Sequence, residues 1–277
     1  LYIARREATS AYMKHKRLVY ALTCAVFFAV CILGAFRLFA VSEFKVNYSV
    51  YNEDVEEVKS ILSRYEGRSI FFVSESEIKN AVTGNVYLKV TSVKKEYPCC
   101  IRVDLAERNE RYYIAGQEGG YLFLDDEYFI VRSSESPAAV RGQKTVPVRF
   151  YKYEINGTEA SEVEFFQPAA LKSFFAFPEE TSDGVKKIFS AISGSIANIE
   201  GIDLVLTNEY GNYRVRLDMA EGTKIEITEA GTRGAEKAEA GLACYKNLSD
   251  DRKICGIITA YERTDGKIIA SHSYAGE

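Results

Sequence analysis

The chain has 277 residues, of which 27% are charged and 47% are hydrophobic, and this composition is too apolar for a disordered protein. The formal net charge of −4 argues against a nucleic-acid-binding protein. Two His, no Trp and six Cys leave little material for a metal site or for a small disulfide-framework protein. After these exclusions, the class that fits the length and composition is a folded protein of one or two domains.

The first 41 residues predict a membrane anchor. Residues 18–36 carry no charge and would form a helix of about 28 Å, which nearly matches a hydrocarbon core of about 30 Å. Five of the six charged residues at 1–17 are Lys or Arg, and such residues stay on the cytoplasmic side of a span. We therefore predict a cytoplasmic basic tail at 1–17, a transmembrane signal anchor at 18–41 and an extracytoplasmic remainder. A cleaved signal peptide is the alternative, but its apolar region usually runs about 7 to 15 residues.

Residues 42–110 predict a domain with the element order β-α-α-β-β. Apolar residues alternate with polar ones over 44–50, which predicts a strand with one buried face. Asn52 can cap a first helix, and Ser74 with Glu77 forms a capping box for a second, shorter helix. Two further alternating segments predict the closing strands, at 87–95 and 101–105.

Residues 111–272 predict a larger, mostly antiparallel β domain with about two helices. Short aromatic segments predict three strands, and later alternating segments predict a hairpin and one more strand. These strands are predicted at 111–115, 120–124, 128–132, 202–207, 213–217 and 224–228. Residues 133–180 show a less regular pattern, which leaves strands or a mobile insert open.

Two helices and a last hairpin complete this domain. Ser182 or Asp183 can cap a helix with a strong apolar face, and 235–248 predicts a second helix with Lys237 and Glu239 pointing outward. Thr264, Asp265 and Gly266 form a turn signal between the segments 254–262 and 267–271. We predict a terminal hairpin there, followed by a C-terminal tail at 273–277.

Five short motifs, at Tyr97-Pro98, 101–105, Glu107-Arg108, 119–125 and Gly256-Ile257-Ile258, resemble the FtsQ/DivIB family of bacterial cell-division proteins. Tyr97-Pro98 resembles the family's aromatic-Pro turn, and the strand at 101–105 with Glu107-Arg108 resembles the segment that follows it. A Gly-rich turn leads into an aromatic strand that ends at Asp125, and Gly256-Ile257-Ile258 resembles the opening of the family's last long strand. The resemblance identifies the β-α-α-β-β segment as a POTRA domain and implies an α+β fold for the chain.

The resemblance also implies a function. FtsQ-type proteins are single-pass type II proteins of the plasma membrane that are enriched at the division septum. They bind FtsL-type and DivIC/FtsB-type proteins and support septal peptidoglycan synthesis without catalysing a reaction. The terminal strands carry this binding in the family, where an added partner strand can pair with a sheet edge. On this match Tyr261 falls at an aromatic contact position, and we predict it as a partner-binding residue with Ile258 and Arg263.

The residues themselves indicate no catalytic, cofactor or metal site. The pattern Ser-x-x-Lys occurs at 42–45, 76–79 and 92–95, but the partner motifs of penicillin-recognising enzymes do not follow it. His272 is the single His outside the basic tail, which leaves no histidine pair for a metal or a held base. The sequence thus favours a binding protein without a small-molecule substrate. The alternative is a membrane-anchored cell-envelope enzyme or sensor that carries a POTRA-like module.

One pair of cysteines could form a disulfide bond. Cys99 and Cys100 are adjacent, so in a strand they point to opposite faces and pair poorly. Cys244 and Cys255 are candidates for a disulfide in an oxidising exterior.

Overall fold

A computed structural model describes residues 2–49, 52–116, 119–140, 144–153, 160–162, 171–177, 181–206 and 213–274. The chain divides into two compact units, Leu1–Glu107 and Arg108–Glu277, and each is described by itself. A predicted hairpin turn at 208–212 and the predicted tail beyond 274 lie outside the described residues.

The first unit contains a long helix and a small α/β layer. Its elements are α1 (Tyr2–Leu38), β1 (Glu43–Ser49), α2 (Asn52–Leu62), a 3-10 turn (Ser63–Tyr65), α3 (Glu75–Val82), β2 (Leu88–Glu96) and β3 (Cys100–Glu107). The strands form a sheet in the order β1-β3-β2, in which β1 runs parallel to β3 and β2 runs antiparallel to it. The predicted β-α-α-β-β order is confirmed.

The C-terminal part of α1 has the length and composition of a membrane span. Val19–Leu38 has 20 residues with a mean hydropathy of 2.4, and none of this window is buried against the rest of the chain. A helix of this length is about 30 Å long, as a hydrocarbon core requires. Apolar side chains exposed along a whole helix are stable when lipid surrounds them.

The capping box that the sequence predicts for α3 is present. The Ser74 hydroxyl accepts from the Glu77 N–H at 3.1 Å, and the Ser74 N–H donates to the Glu77 carboxylate at 3.0 Å. The helix then buries Ile78 and Val82 in the core of the first unit. Local sequence chemistry is sufficient to start this helix.

The predicted buried face of β1 is present in part. Phe44 and Val46 are half-buried against the core, whereas Tyr48 is 43% exposed. β1 lies at the edge of the sheet, and the fully buried strand residues Ile101 and Val103 lie on the central strand β3. Alternation in sequence indicates a strand, but its place in the sheet decides how much of one face is buried.

The second unit is built around one large sheet. Its elements are β4 (Tyr112–Ala115), β5 (Tyr121–Leu124), β6 (Ile130–Ser134), β7 (Val146–Tyr153), β8 (Ala160–Glu162), α4 (Ser182–Ile192), a 3-10 turn (Ser193–Asn198), β9 (Ile199–Leu206), β10 (Tyr213–Met219), β11 (Lys224–Ile227), α5 (Gly234–Asn247), α6 (Asp250–Lys253), β12 (Ile257–Glu262) and β13 (Ile268–Ser273). The described strands follow the order β13-β12-β11-β10-β9-β7-β4-β5-β6, with β8 paired to β7. Antiparallel pairs predominate, and β7-β9, β4-β7 and β11-β12 are parallel.

Helices α4 and α5 pack on one face of this sheet and form a continuous apolar core with it. Ile188 and Phe189 of α4 and Leu242 of α5 lie in the same buried cluster as Val215 and Ile225 of the strands. The helix cap that we predicted at Ser182 or Asp183 is wrong by one or two residues. Thr181 occupies the cap position, and its side chain makes no capping hydrogen bond.

The side chain of Lys237 and the strand β7 differ from what the sequence predicts or add to it. Lys237 was expected to point outward from α5, but its side chain is completely buried. In the irregular stretch at 133–180 the structure contains β7, whose Val146, Val148 and Phe150 are buried in the core. β7 lies inside the sheet between β4 and β9, so pairing with strands distant in sequence stabilises it.

All six cysteines lie in the described ranges, and each is a free thiol. Cys244 is half-buried beside the core, and burial raises the pKa of its thiol. Cys255 is exposed.

Candidate partner-binding edge

The terminal hairpin has a regular register. Tyr261 of β12 pairs with Ile269 of β13, and the ladder continues to Ile257 opposite Ser273. At the turn, the Arg263 N–H donates to the Lys267 carbonyl at 2.9 Å and the Gly266 N–H donates to the Arg263 carbonyl at 2.9 Å. The turn signal in the sequence therefore predicted the hairpin correctly.

β13 is the last strand of the sheet. In an antiparallel pair, alternate residues direct their N–H and C=O groups to the neighbouring strand and the others direct them away. Counting from the Arg263–Lys267 pair, the backbone groups of Ile268, Ala270 and His272 point away from β12. In the described part of the chain no further strand pairs with this side. Such a row of donors and acceptors can accept an added strand.

The opposite end of the sheet is covered. The Ile130 N–H donates to the Ser173 carbonyl at 2.8 Å, and the Phe175 N–H donates to the Tyr128 carbonyl at 2.7 Å. An isolated bridge between Phe129 and Phe174 continues this contact. The start of β6 is thereby protected from pairing with another chain, whereas no described strand covers the outer side of β13.

Both ends of β13 are held in place. At the turn, the Arg233 guanidinium donates to the Glu262 carboxylate at 3.1 Å and to the Gly266 carbonyl at 2.8 Å. At the other end, the Nε2 atom of His272 lies 3.1 Å from the Cys255 carbonyl oxygen. An edge strand fixed at both ends presents its backbone groups in a defined geometry, which lowers the entropic cost of adding a strand.

The sheet face opposite the helices carries paired charges at its centre. Arg149 of β7 donates to Asp203 of β9 at 2.6 Å and to Asp218 of β10 at 2.5 Å. Burial raises the pKa of the Asp203 carboxyl, and the Arg149 guanidinium opposes that shift. One guanidinium thus bridges carboxylates of two neighbouring strands, and removing it would leave the buried Asp203 without its counter-charge.

Towards the free edge the same face becomes uncharged. Ile257, Thr259 and Tyr261 of β12 lie on it, and Ile269 and Ser271 of β13 lie opposite them. The side chains of Ile257, Tyr261 and Ile269 are half-buried. A strand added to β13 could therefore extend both the backbone ladder and a small apolar surface beside it.

Residues 39–108 match the family model described as POTRA domain, FtsQ-type. The first unit contains an FtsQ-type POTRA domain. The match supports an FtsQ/DivIB family protein, as the sequence motifs predicted. A search of curated proteins found no match to the chain.

The POTRA match has general consequences. An FtsQ-type POTRA domain indicates a cell-division protein with partners among division proteins, and its family is generally non-enzymatic. The apolar helix that precedes the domain fits a single-pass membrane anchor in such a protein. In the described part of the chain, no group of three His, Cys, Asp or Glu residues could hold a metal ion.

The three residues predicted as partner contacts occupy different environments. Ile258 is fully buried in the core and pairs with His272, so it offers no exposed side-chain surface. Tyr261 is half-buried on the open face of the sheet, and Arg263 is exposed at the hairpin turn. All three precede β13, whose outer side pairs with no strand in the described part of the chain. The sequence did not single out Ile268, Ala270 and His272, whose backbone groups form the candidate edge. Their segment follows the last turn signal, and its position at the end of the terminal hairpin was the available indication of a sheet edge.

Proposed function

We propose that the protein is a non-enzymatic scaffold of the bacterial division machinery. Its helix α1 anchors it in the plasma membrane with the N-terminus in the cytoplasm, and both folded units lie outside. The protein is enriched at the septum and supports septal peptidoglycan synthesis. The FtsQ-type POTRA domain supports the general role, and the basic residues at 1–17 support this orientation.

We further propose that the second unit binds DivIC/FtsB-type proteins, which pair with FtsL-type proteins. The observation that carries this proposal is the outward-facing backbone of Ile268, Ala270 and His272 on β13. A partner strand would pair there, and Tyr261 with Arg263 would contact its side chains. Tyr and Arg are the residue types that most often dominate interface energetics. Ile258 would support the hairpin from the core.

A proline at position 270 tests strand addition. Ala270→Pro removes an N–H that points away from β12, so it leaves the ladder within the hairpin intact, as proline on edge strands requires. Ala270→Ser keeps the N–H and is the matched control. We expect Ala270→Pro to abolish copurification of the full chain with its DivIC/FtsB-type partner, while Ala270→Ser retains it. Unchanged copurification of a folded Ala270→Pro protein would refute strand addition at β13.

The septal role has a separate test. A fluorescent protein fused to the cytoplasmic N-terminus should form a band at midcell in dividing cells of the source bacterium. Uniform membrane fluorescence throughout division would refute the divisome role. The Ala270→Pro variant should keep its membrane fluorescence, which separates loss of a partner from loss of the anchor.

A further inference from the structure

A cluster of three aromatic rings lies at the base of the POTRA domain. The ring centroids of Phe39 and Phe71 are 5.0 Å apart, and those of Phe71 and Tyr97 are 5.6 Å apart. Phe71 is 56% exposed, Tyr97 is 59% exposed and the neighbouring Phe72 is 68% exposed. Large aromatic side chains exposed together mark an interaction surface.

Backbone hydrogen bonds hold this cluster at the end of α1. The Ile70 N–H donates to the Phe39 carbonyl at 2.8 Å, and the Val41 N–H donates to the Arg68 carbonyl at 2.8 Å. A bridge between Ala40 and Ser69 lies between these two bonds. The loop that carries Phe71 and Phe72 is therefore tied to the residues that directly follow Leu38.

The rings continue the apolar surface of the span. A cavity of about 370 Å³ lies between the helix and the loop. Its lining is apolar apart from one serine and consists of Ile32, Phe36, Phe39, Ser69, Phe71 and Phe72. Ile32 and Phe36 belong to the last turns of the membrane-spanning helix, and Ser69, Phe71 and Phe72 belong to the POTRA loop. One uninterrupted apolar surface therefore extends from the span onto the domain.

The length of the span sets the depth of this surface. Val19–Leu38 is long enough to cross the hydrocarbon core, so Phe39 lies at its outer boundary. Aromatic residues are enriched at this boundary in membrane proteins, where the ring contacts acyl chains and lipid head groups. Arg37 in the last turn of α1 can reach the same head-group region.

We propose that Phe71 and Phe72, with Phe39 and Tyr97, form a lipid-binding surface that seats the POTRA domain on the outer leaflet of the membrane. Acyl chains fill the cavity between α1 and the loop. The occupant is lipid because the surface is continuous with the helix that lipid already surrounds. This inference rests on the membrane anchor of the proposed function and does not require the division partners.

The absence of Trp from the chain provides a clean probe. Phe72→Trp places a single indole on the proposed surface. Phe28→Trp places one near the middle of the span, and Tyr48→Trp places one on β1, where the native Tyr is 43% exposed. Each full-length variant is reconstituted without partners into phosphatidylcholine and phosphatidylglycerol vesicles. The lipids carry bromine either near the carbonyl end or deep in the acyl chain, and bromine quenches indole fluorescence on contact.

We expect shallow bromines to quench the fluorescence of the Phe72→Trp variant at least twofold, and we expect its emission to lie at shorter wavelength than that of Tyr48→Trp. Deep bromines should quench the Phe28→Trp variant, and neither lipid should quench the Tyr48→Trp variant. These three responses together would place the loop, but not β1, in contact with lipid.

Other outcomes separate the lipid surface from the anchor. If Phe28→Trp is quenched while Phe72→Trp behaves as Tyr48→Trp does, the lipid surface is refuted and the anchor stands. If Phe28→Trp is not quenched, both fail. Equal quenching of Tyr48→Trp and Phe72→Trp also overturns the proposal, because the domain would then lie flat on the membrane. So does quenching of Phe72→Trp that appears only after tenfold dilution of protein into lipid, because a second copy of the chain would then cover the surface before dilution.

Discussion

The Nζ atom of Lys237 lies 3.1 Å from the carbonyl oxygen of Thr228 and donates a hydrogen bond to it. A second bond of 3.1 Å runs from the same atom to the carbonyl of Glu229. Lys237 is completely buried in α5, and its two acceptors lie in the turn between β11 and that helix. The buried ammonium thus finds two hydrogen-bond acceptors in the turn that precedes its own helix.

Removing this ammonium should weaken the second unit. Lys237→Met keeps the aliphatic stem and leaves both carbonyls without their donor, which we expect to lower the free energy of unfolding by about 1–3 kcal/mol. Lys246→Met, at an exposed position of the same helix, should change it by less than about 0.5 kcal/mol. Urea denaturation of the solubilised full chain measures both. Equal effects of the two variants would show that the bonds of Lys237 contribute nothing.

A side chain at Gly201 should disturb the ion pairs of Arg149 with Asp203 and Asp218. A Cβ at this position would lie 2.7 Å from Nη2 of Arg149 and 3.2 Å from Oδ2 of Asp218, so Gly201→Ala must displace the guanidinium that pairs two carboxylates. We expect a loss of about 1–3 kcal/mol in the same assay, as overpacking typically costs.

Gly194→Ala is the matched control for Gly201→Ala. A Cβ at Gly194 meets nothing within 4 Å, so we expect no loss and a gain of up to about 1 kcal/mol. If Gly201→Ala is as stable as Gly194→Ala, Arg149 can move without loss of stability, and its ion pairs with Asp203 and Asp218 do not constrain the sheet.

The capping box of α3 should make local stability depend on acid pH. The Ser74 N–H, and then Arg68, lower the pKa of the Glu77 carboxyl below its ordinary value of 4.5. A carboxyl with a lowered folded-state pKa stabilises the fold fully above its unfolded value, and this contribution disappears as the pH falls through the lowered pKa. Protection of α3 amides from hydrogen exchange should therefore fall below about pH 4.5 in the native protein.

Glu77→Gln should remove this pH dependence, because Gln can accept the same hydrogen bond without titrating. Glu66→Gln, at an exposed position before α3, should leave it unchanged. Hydrogen exchange measured by mass spectrometry at pH values on either side of the Glu77 titration distinguishes them. An acid-induced loss of α3 protection that persists in Glu77→Gln would assign the effect to another group.

The side chain of Tyr261 should contribute to partner binding. Tyr261→Ala removes an aromatic ring from the open face beside β13, and we expect binding to the DivIC/FtsB-type partner to weaken at least about tenfold, as loss of an interface anchor does. Tyr48→Ala, which removes an exposed tyrosine from the POTRA domain, should leave the affinity unchanged. Titration of the full chain in nanodiscs with labelled partner measures both. Equal affinities would show that Tyr261 only packs under the hairpin.

Elements defined by neighbouring residues could be predicted from the sequence. Ser74 and Glu77 lie three positions apart and start α3 by their own hydrogen bonds, and the turn at 264–266 joins two alternating segments. β7 could not be predicted in the same way. Val146, Val148 and Phe150 alternate, but Pro147 between them argues against a central strand. The neighbours of β7, β4 and β9, lie far away in the chain.

The sequence alone determined the apolar span, the order of the POTRA elements and the terminal hairpin, because periodicity and turn chemistry act over a few residues. The tertiary structure alone decided which strand lies at the edge of the sheet. The parallel pairing of β11 with β12 places Ile258 inside the core and leaves β13 at the edge. That pairing joins segments separated by α5 and α6, and it is stabilised by apolar surface that becomes buried only when α5 packs on the sheet.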